Sequence, residues 1–119
     1  MRSIGRLPHA ELAVIAEVKI TRYLLATDHP VGRAKAALFK RFGYDTADWQ
    51  TLRDALLLHA RTARVMSSGD TEFGKKYILE GILRARSGRG LRLRAIWFVG
   101  NGEIVPQLVT AYAVRGVQE

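Results

Sequence analysis

The 119 residues contain no cysteine. That excludes disulfides, thiolate zinc sites and a cysteine nucleophile, and leaves the redox compartment open. Long apolar runs are missing as well, and none approaches the ~20 residues that span a bilayer. The opening stretch "MRSIGRLPHAELAV" has no apolar core of the kind a secretory signal needs, so export driven by that stretch is not expected. Histidine is scarce: His9, His29 and His59 are scattered, with no carboxylates gathered around them, so neither a metal site nor another cofactor is expected. There is no phosphate-binding glycine loop, no histidine pair at i, i+4 and no nucleophile elbow.

What remains has the make-up of an ordinary globular protein, 48% hydrophobic and 25% charged. The expectation is one domain over 1–119, with a helical part at 10–61 and a sheet part at 62–114. The charge is unbalanced. Nineteen basic residues, most of them arginine, stand against eleven acidic ones, for a net +8. Five arginines and no acid fall within "RARSGRGLRLR", residues 84–94. Such a stripe suits a polyanion, because each guanidinium can fork onto phosphate oxygens. It equally suits an acidic protein partner, or a solvated sheet face kept soluble by charge.

The pattern changes near residue 62. Before it, apolar residues recur at helical spacing; after it, short alternating runs are separated by glycine turns. "ELAVIAE" reads as an extended entry. Over 17–26, Ile20, Tyr23 and Leu24 share one helical face. "DHPVG" then breaks the chain, since the residue before a proline avoids the helical region. A second helix is expected over 32–42 with Leu38 and Phe42 inward and Gly43 as its C-terminal cap. A third begins at Asp45 or Thr46 as N-cap and lays Trp49, Leu52, Leu56 and His59 along one stripe. Strands follow at about 64–67, 76–86, 91–99 and 104–114, with "SGRG" and "GNG" as hairpin turns. The predicted class is α+β: about three N-terminal helices packed on one face of an antiparallel sheet of about four strands.

Of the three histidines, His29 is placed best for chemistry. It sits in a Pro-Gly turn before a helix, where it either caps the turn or reaches a cleft as general base or acid. Lys35, one turn into that helix, either faces the same cleft or is an ordinary exposed lysine. Arg33 lies beside it. In the last strand, "VPQLVTAYAV", Leu108, Thr110 and Tyr112 alternate with Val109, Ala111 and Ala113. The smaller set is expected under the helices. If "GNG" is a three-residue loop, Val99 pairs with Glu103, and Arg92 and Arg94 share the open face with Thr110 and Tyr112. A two-residue loop reverses this, because a one-residue slip swaps faces. Lys76, Arg84 and Arg86 complete the candidate phosphate-binding set. Trp97 and Tyr77 read as packing residues.

These same residues carry a resemblance. The pattern "LPHAE…ITRYLL…DHPVGRAKAALFKRFGY…LRDALL…FGKKY…IW…G…PQLVTAY" resembles a bacterial family of small, uncharacterised domains found alone and at the C-termini of phage-related and polymorphic-toxin proteins. The match covers about 7–112, and "HPVG…KA…F" and "P.LVTAY" are its most specific parts. The layout also looks like toxin domains of the barnase–EndoU–colicin–RelE type, in which N-terminal helices pack on an antiparallel sheet and RNA is cut in the sheet's cleft. The resemblance implies metal-independent RNA cleavage inside bacterial cells. His29 is then base or acid, Lys35 or an arginine holds the phosphate, and Thr110 and Tyr112 orient it. The implied partners are a structured RNA, such as a tRNA, and an acidic antitoxin or immunity protein. The site of action is then cytoplasmic, whether the chain stands alone or arrives within a larger secreted protein. The rival is a non-catalytic module of the same fold that binds RNA or an acidic protein.

Overall fold

The structure, a computed structural model, describes residues 5–25, 33–85 and 88–114; for Tyr23 and 33–36 it describes the backbone alone. A 3-10 turn at Ala10–Leu12 leads to α1, which runs Glu17–Lys19 and continues as a π turn, Ile20–Leu24. Helix α2 is Arg33–Arg41 and α3 is Trp49–Thr62. Four strands then form a meander in sequence order: β1 (Arg64–Thr71), β2 (Gly74–Arg84), β3 (Gly90–Gly100) and β4 (Gln107–Ala113). The fold is the α+β arrangement expected, with the helices mostly ahead of the sheet.

Local chemistry accounts for the element ends. Asp45 opens the third helical segment: its carboxylate accepts from the backbone N–H of Ala47 at 2.8 Å and Asp48 at 3.2 Å. A 3-10 turn at Thr46–Asp48 then leads into α3. Gly43 closes α2 at φ 98°, a conformation that costs glycine nothing. In α1 the π turn is closed by Leu25 N–H donating to Ile20 O at 2.8 Å, and it delivers both Leu24 and Leu25 to the core.

One face of the sheet is covered and the other is open. Leu79 and Leu83 of β2, with Leu91, Leu93, Ala95 and Trp97 of β3, are buried against Ile20, Leu24, Phe39, Leu52 and Leu56. In α2 the deeply buried residue is Phe39, with Phe42 beside it, whereas Leu38, expected inward, is half-buried. Tyr44 packs edge-on against Phe39 and its hydroxyl donates to Arg84 O at 3.0 Å. The end of the β2–β3 hairpin is thereby tied to the helices.

The last strand departs from its expected course. Six residues separate β3 from β4, so Val99 does not pair with Glu103, and Trp97 faces Leu108 instead. The register then shifts between Ile96 and Trp97, which makes Val109 a bulge. Leu108 is therefore buried on the covered face with Ala111, while Val109, expected under the helices, is 42% exposed.

Helix α3 seats closely because of Gly81. A Cβ at that position would lie 2.8 Å from the Cβ of Ala63. Gly81→Ala is expected to lower the unfolding free energy by about 1–3 kcal/mol, the usual range for overpacking. Urea denaturation measures it, and combining it with Ala63→Gly should recover part of the loss.

Candidate nucleic-acid interface on the open sheet face

Pairing across the sheet fixes which side chains share the open face. In the row that crosses it at Glu80, Arg64 of β1 faces Glu80 of β2, which faces Arg94 of β3, which faces Tyr112 of β4. The next row is Ser67, Ile78, Ile96 and Thr110, and the third is Gly69, Lys76, Phe98 and Gln107. On the other side of the Glu80 row, Ile82 faces Arg92 and Arg84 faces Gly90. Among the described strand residues this face carries five cations and one carboxylate. It is a half-apolar floor with a cationic border.

Glu80 organises that border. Arg94 Nη2 donates to its Oε1 at 2.8 Å and Arg92 Nη1 to its Oε2 at 3.3 Å, so one carboxylate spans two guanidinium groups. The Glu80 side chain is only 14% exposed, which shields the pair from solvent. The Arg94 hydrogen bond, aided by Arg92, holds Glu80 below the ordinary carboxylate pKa against the opposing effect of its burial. Arg94 is in turn held more firmly protonated, first by Glu80 and then by its hydrogen bond to Tyr112. The arrangement aims two charged forks at the surface in fixed positions, which is what recognition of phosphate oxygens requires.

Behind this row, on the covered side, stands His59. It is 1% exposed, and its Nε2 lies 3.2 Å from Gly81 O and 3.1 Å from Leu93 O. Both partners are acceptors, so Nε2 carries the proton and donates to two strands at once. Gly81 and Leu93 face each other and are direct chain neighbours of Glu80, Arg92 and Arg94. The buried imidazole thus braces the strands where the charged trio sits on the reverse side.

The sequence-predicted residues divide into three groups. Lys76, Arg84, Arg92, Arg94, Thr110 and Tyr112 come together on the open face. Arg33 and Lys35 lie in the first turn of α2 by their backbone, and their side chains lie outside the described residues. His29 and Arg86 lie outside the described residues altogether. The arginines of 84–94 do not form one stripe, since the Arg89 guanidinium stacks over Phe42, 4.6 Å from the ring centroid. Two members of the cluster were not anticipated, Glu80 and Arg64. Glu80 had a signal: it is the lone acid in the alternating run "YILEGILR", opposite "LRLR".

A separate concavity lies beside this face. A cleft of about 540 Å³ opens beside β4 between residues 14–19 and the bulge, and it meets the open face only at Phe98 and Gln107. Among the described residues, no three of His, Cys, Asp and Glu gather where a metal ion could be held. No described helix is long and apolar enough to cross a membrane.

A family model described as a domain of unknown function (DUF6883) matches residues 6–115. The chain belongs to this family. No curated protein and no solved structure matches it. The DUF6883 match runs from just before the 3-10 turn to just past β4, and so takes in both the helices and the whole open face.

Two pH effects follow from the geometry. Burial holds His59 below its ordinary pKa of 6.5. The fold keeps it neutral while the unfolded chain takes up a proton, so stability is full above that value and falls as pH drops through it. Thermal melts from pH 8 to pH 5 should show this decline, and His59→Leu should flatten it. For Glu80 the lowered pKa stabilises the fold at neutral pH, and that contribution is lost as pH falls through the folded value. Glu80→Gln should therefore melt below wild type at pH 7, with the two curves converging as pH falls from the ordinary carboxylate value of 4.5 through the lowered folded one.

Proposed function

We propose that this chain is a metal-independent endoribonuclease of the toxin type, cutting a structured RNA that lies across the open face of its sheet. The observation that carries the proposal is the shared face. Arg92 and Arg94, aligned by Glu80, border the same surface on which β4 presents Thr110 and Tyr112. The layout of helices behind an uncovered antiparallel sheet is in keeping with toxin domains of the barnase–EndoU–colicin–RelE type. Fold alone does not fix function, so the assignment depends on the residues.

The reaction is transesterification within the RNA. The ribose 2′-oxygen bonds to the adjacent phosphorus while the bond from phosphorus to the 5′-oxygen breaks, leaving a cyclic phosphate. A base takes the 2′-proton, an acid gives one to the departing 5′-oxygen, and no oxidant or metal enters the balance. His29 is assigned as base or acid. Lys35 and the arginine pair hold the phosphate as its charge grows, and Thr110 and Tyr112 orient it by hydrogen bonds. Glu80 fixes the guanidinium groups. With a net charge of +8, an acidic antitoxin or immunity protein that covers this face would silence the chain.

Expression in bacteria with sequencing of RNA ends tests the proposal. Wild type should arrest growth and produce new ends. His29→Ala should lower cleavage by about 10²–10⁴-fold, the usual contribution of one acid–base group, and cleavage should persist in EDTA. Unimpaired growth with unchanged RNA ends, at confirmed expression, would overturn it. Binding is measured separately: Arg92→Ala and Arg94→Ala should each flatten the salt dependence of log Kd by about 0.7 for single-stranded RNA. Binding that survives with no cleavage by wild type would instead identify a non-catalytic RNA-binding module.

A further inference from the structure

The β1–β2 hairpin turns at residues 71–74, and Phe73 in that turn is 71% exposed, the most exposed large apolar side chain among the described residues. A single exposed phenyl ring is unremarkable in itself, but the backbone that carries this one is anchored on both sides. The N–H groups of Phe73 and Gly74 both donate to Thr71 Oγ1 at 3.1 Å, and that hydroxyl donates to Gly74 O at 2.9 Å. From the neighbouring β3–β4 turn, Asn101 N–H donates to Phe73 O at 3.0 Å and Asn101 Nδ2 to Glu72 O at 2.8 Å. Gly74, at φ 155°, leaves room for the ring of Phe98, which a Cβ there would meet at 2.7 Å. An aromatic side chain is thus held in water on a fixed platform, at the end of the open face.

Charge says what the platform takes. The tip itself has no surplus of cations: Asp70 and Glu72 lie at it and Glu103 closes the adjoining turn, against Lys75 and Lys76 at the start of β2. Lys75 stands opposite Asp70 and over the Tyr77 ring, with Nζ 5.7 Å from its centroid. Such a tip offers phosphate little, and phosphates are drawn instead toward the rows of Arg64, Arg92 and Arg94. The group left to meet Phe73 is an uncharged one. The distance from Arg94 to Gly100 along β3 is about 20 Å at ~3.4 Å per residue, so that group belongs to a flanking nucleotide.

We propose that Phe73 is a stacking platform for an unpaired nucleobase of the RNA, a subsite that makes the open face prefer single-stranded or looped segments. The subsite rests on the RNA-binding function proposed above. Unstacked bases in loops characteristically settle on aromatic side chains in this way.

Fluorescence anisotropy with a labelled single-stranded 2′-O-methyl oligoribonucleotide tests it, because the blocked 2′-oxygen prevents cleavage. Phe73→Ala should weaken binding by roughly 5- to 150-fold, the range for loss of one stacked base. The slope of log Kd against log salt should not change, because no cation is removed. Phe73→Trp should bind at least as tightly as wild type, and Phe73→Leu should recover only part of the loss. Unaltered binding by Phe73→Ala, or full recovery by Phe73→Leu, would overturn the stacking role while leaving RNA binding intact. Failure of wild type to bind the oligonucleotide, with Arg92→Ala and Arg94→Ala equally inert, would instead remove the RNA function itself and the subsite with it.

Discussion

Helix α3 lies against the sheet where β2 offers no side chain. At Gly81 the helix comes close enough for Ala63 to occupy the space of the missing Cβ, and His59 then reaches the carbonyls of two strands. The rest of the molecule depends on that seating. It sets how near the helical layer comes to the sheet, and so how completely Leu79, Leu93, Ala95 and Trp97 are sealed from water. It also holds β2 and β3 together by a bond that belongs to neither strand, directly behind the opposed charges of Glu80, Arg92 and Arg94. An imidazole in such a place must remain neutral, since a proton on the unpartnered Nδ1 would bury a charge with nothing to receive it.

The two faces of the sheet are therefore complementary by construction. Strand alternation sends every second residue of β2 and β3 to each side, so the choice of small and aliphatic residues behind leaves the arginines in front. Burial is concentrated on one side and electrostatics on the other. Glu80 mediates between them. Without it, Arg92 and Arg94 would stand as like charges on neighbouring positions of one strand face; with it, they are drawn into a fixed pair.

Much of this was legible in the residues, and the exceptions have physical causes. The alternation of "LRLRAIW" gives the burial of Leu91, Leu93, Ala95 and Trp97, because a half-covered strand has a period of two. The stripe of Leu52, Leu56 and His59 likewise follows from helical spacing, and Asp45 is an N-cap on chemical grounds. The bulge at Val109 left no trace, since Leu108 and Val109 are both apolar and either could face inward. Its effect compensates for the unexpected length of the β3–β4 connection: Thr110 and Tyr112 reach the open face even though Val99 and Glu103 never pair. The dispersal of the arginine run was illegible for a different reason. Arg89 is not on the open face because its guanidinium stacks over the Phe42 ring, a partner far away in sequence that the arginine run does not announce. His29 carries the chemical proposal from the sequence side, and it lies outside the described residues.

The segment before α1 touches the sheet at two distant places. The carbonyl of Gly5 receives the N–H of Val65 on β1 at 3.3 Å, and the N–H of Val14 donates to Pro106 O at 3.1 Å beside a parallel bridge from Val14 to Gln107 on β4. These are the two outer strands of the meander, so the segment from Gly5 to Val14 is a strap laid from one margin of the sheet to the other. It cannot find its second anchor until the last strand exists. During synthesis that margin of the sheet has no partner, and the strap is among the last contacts to close. Once closed, it occupies a stretch of both margins that would otherwise offer unpaired backbone to a second chain. Completion of the fold and protection from edge-to-edge association are then one event.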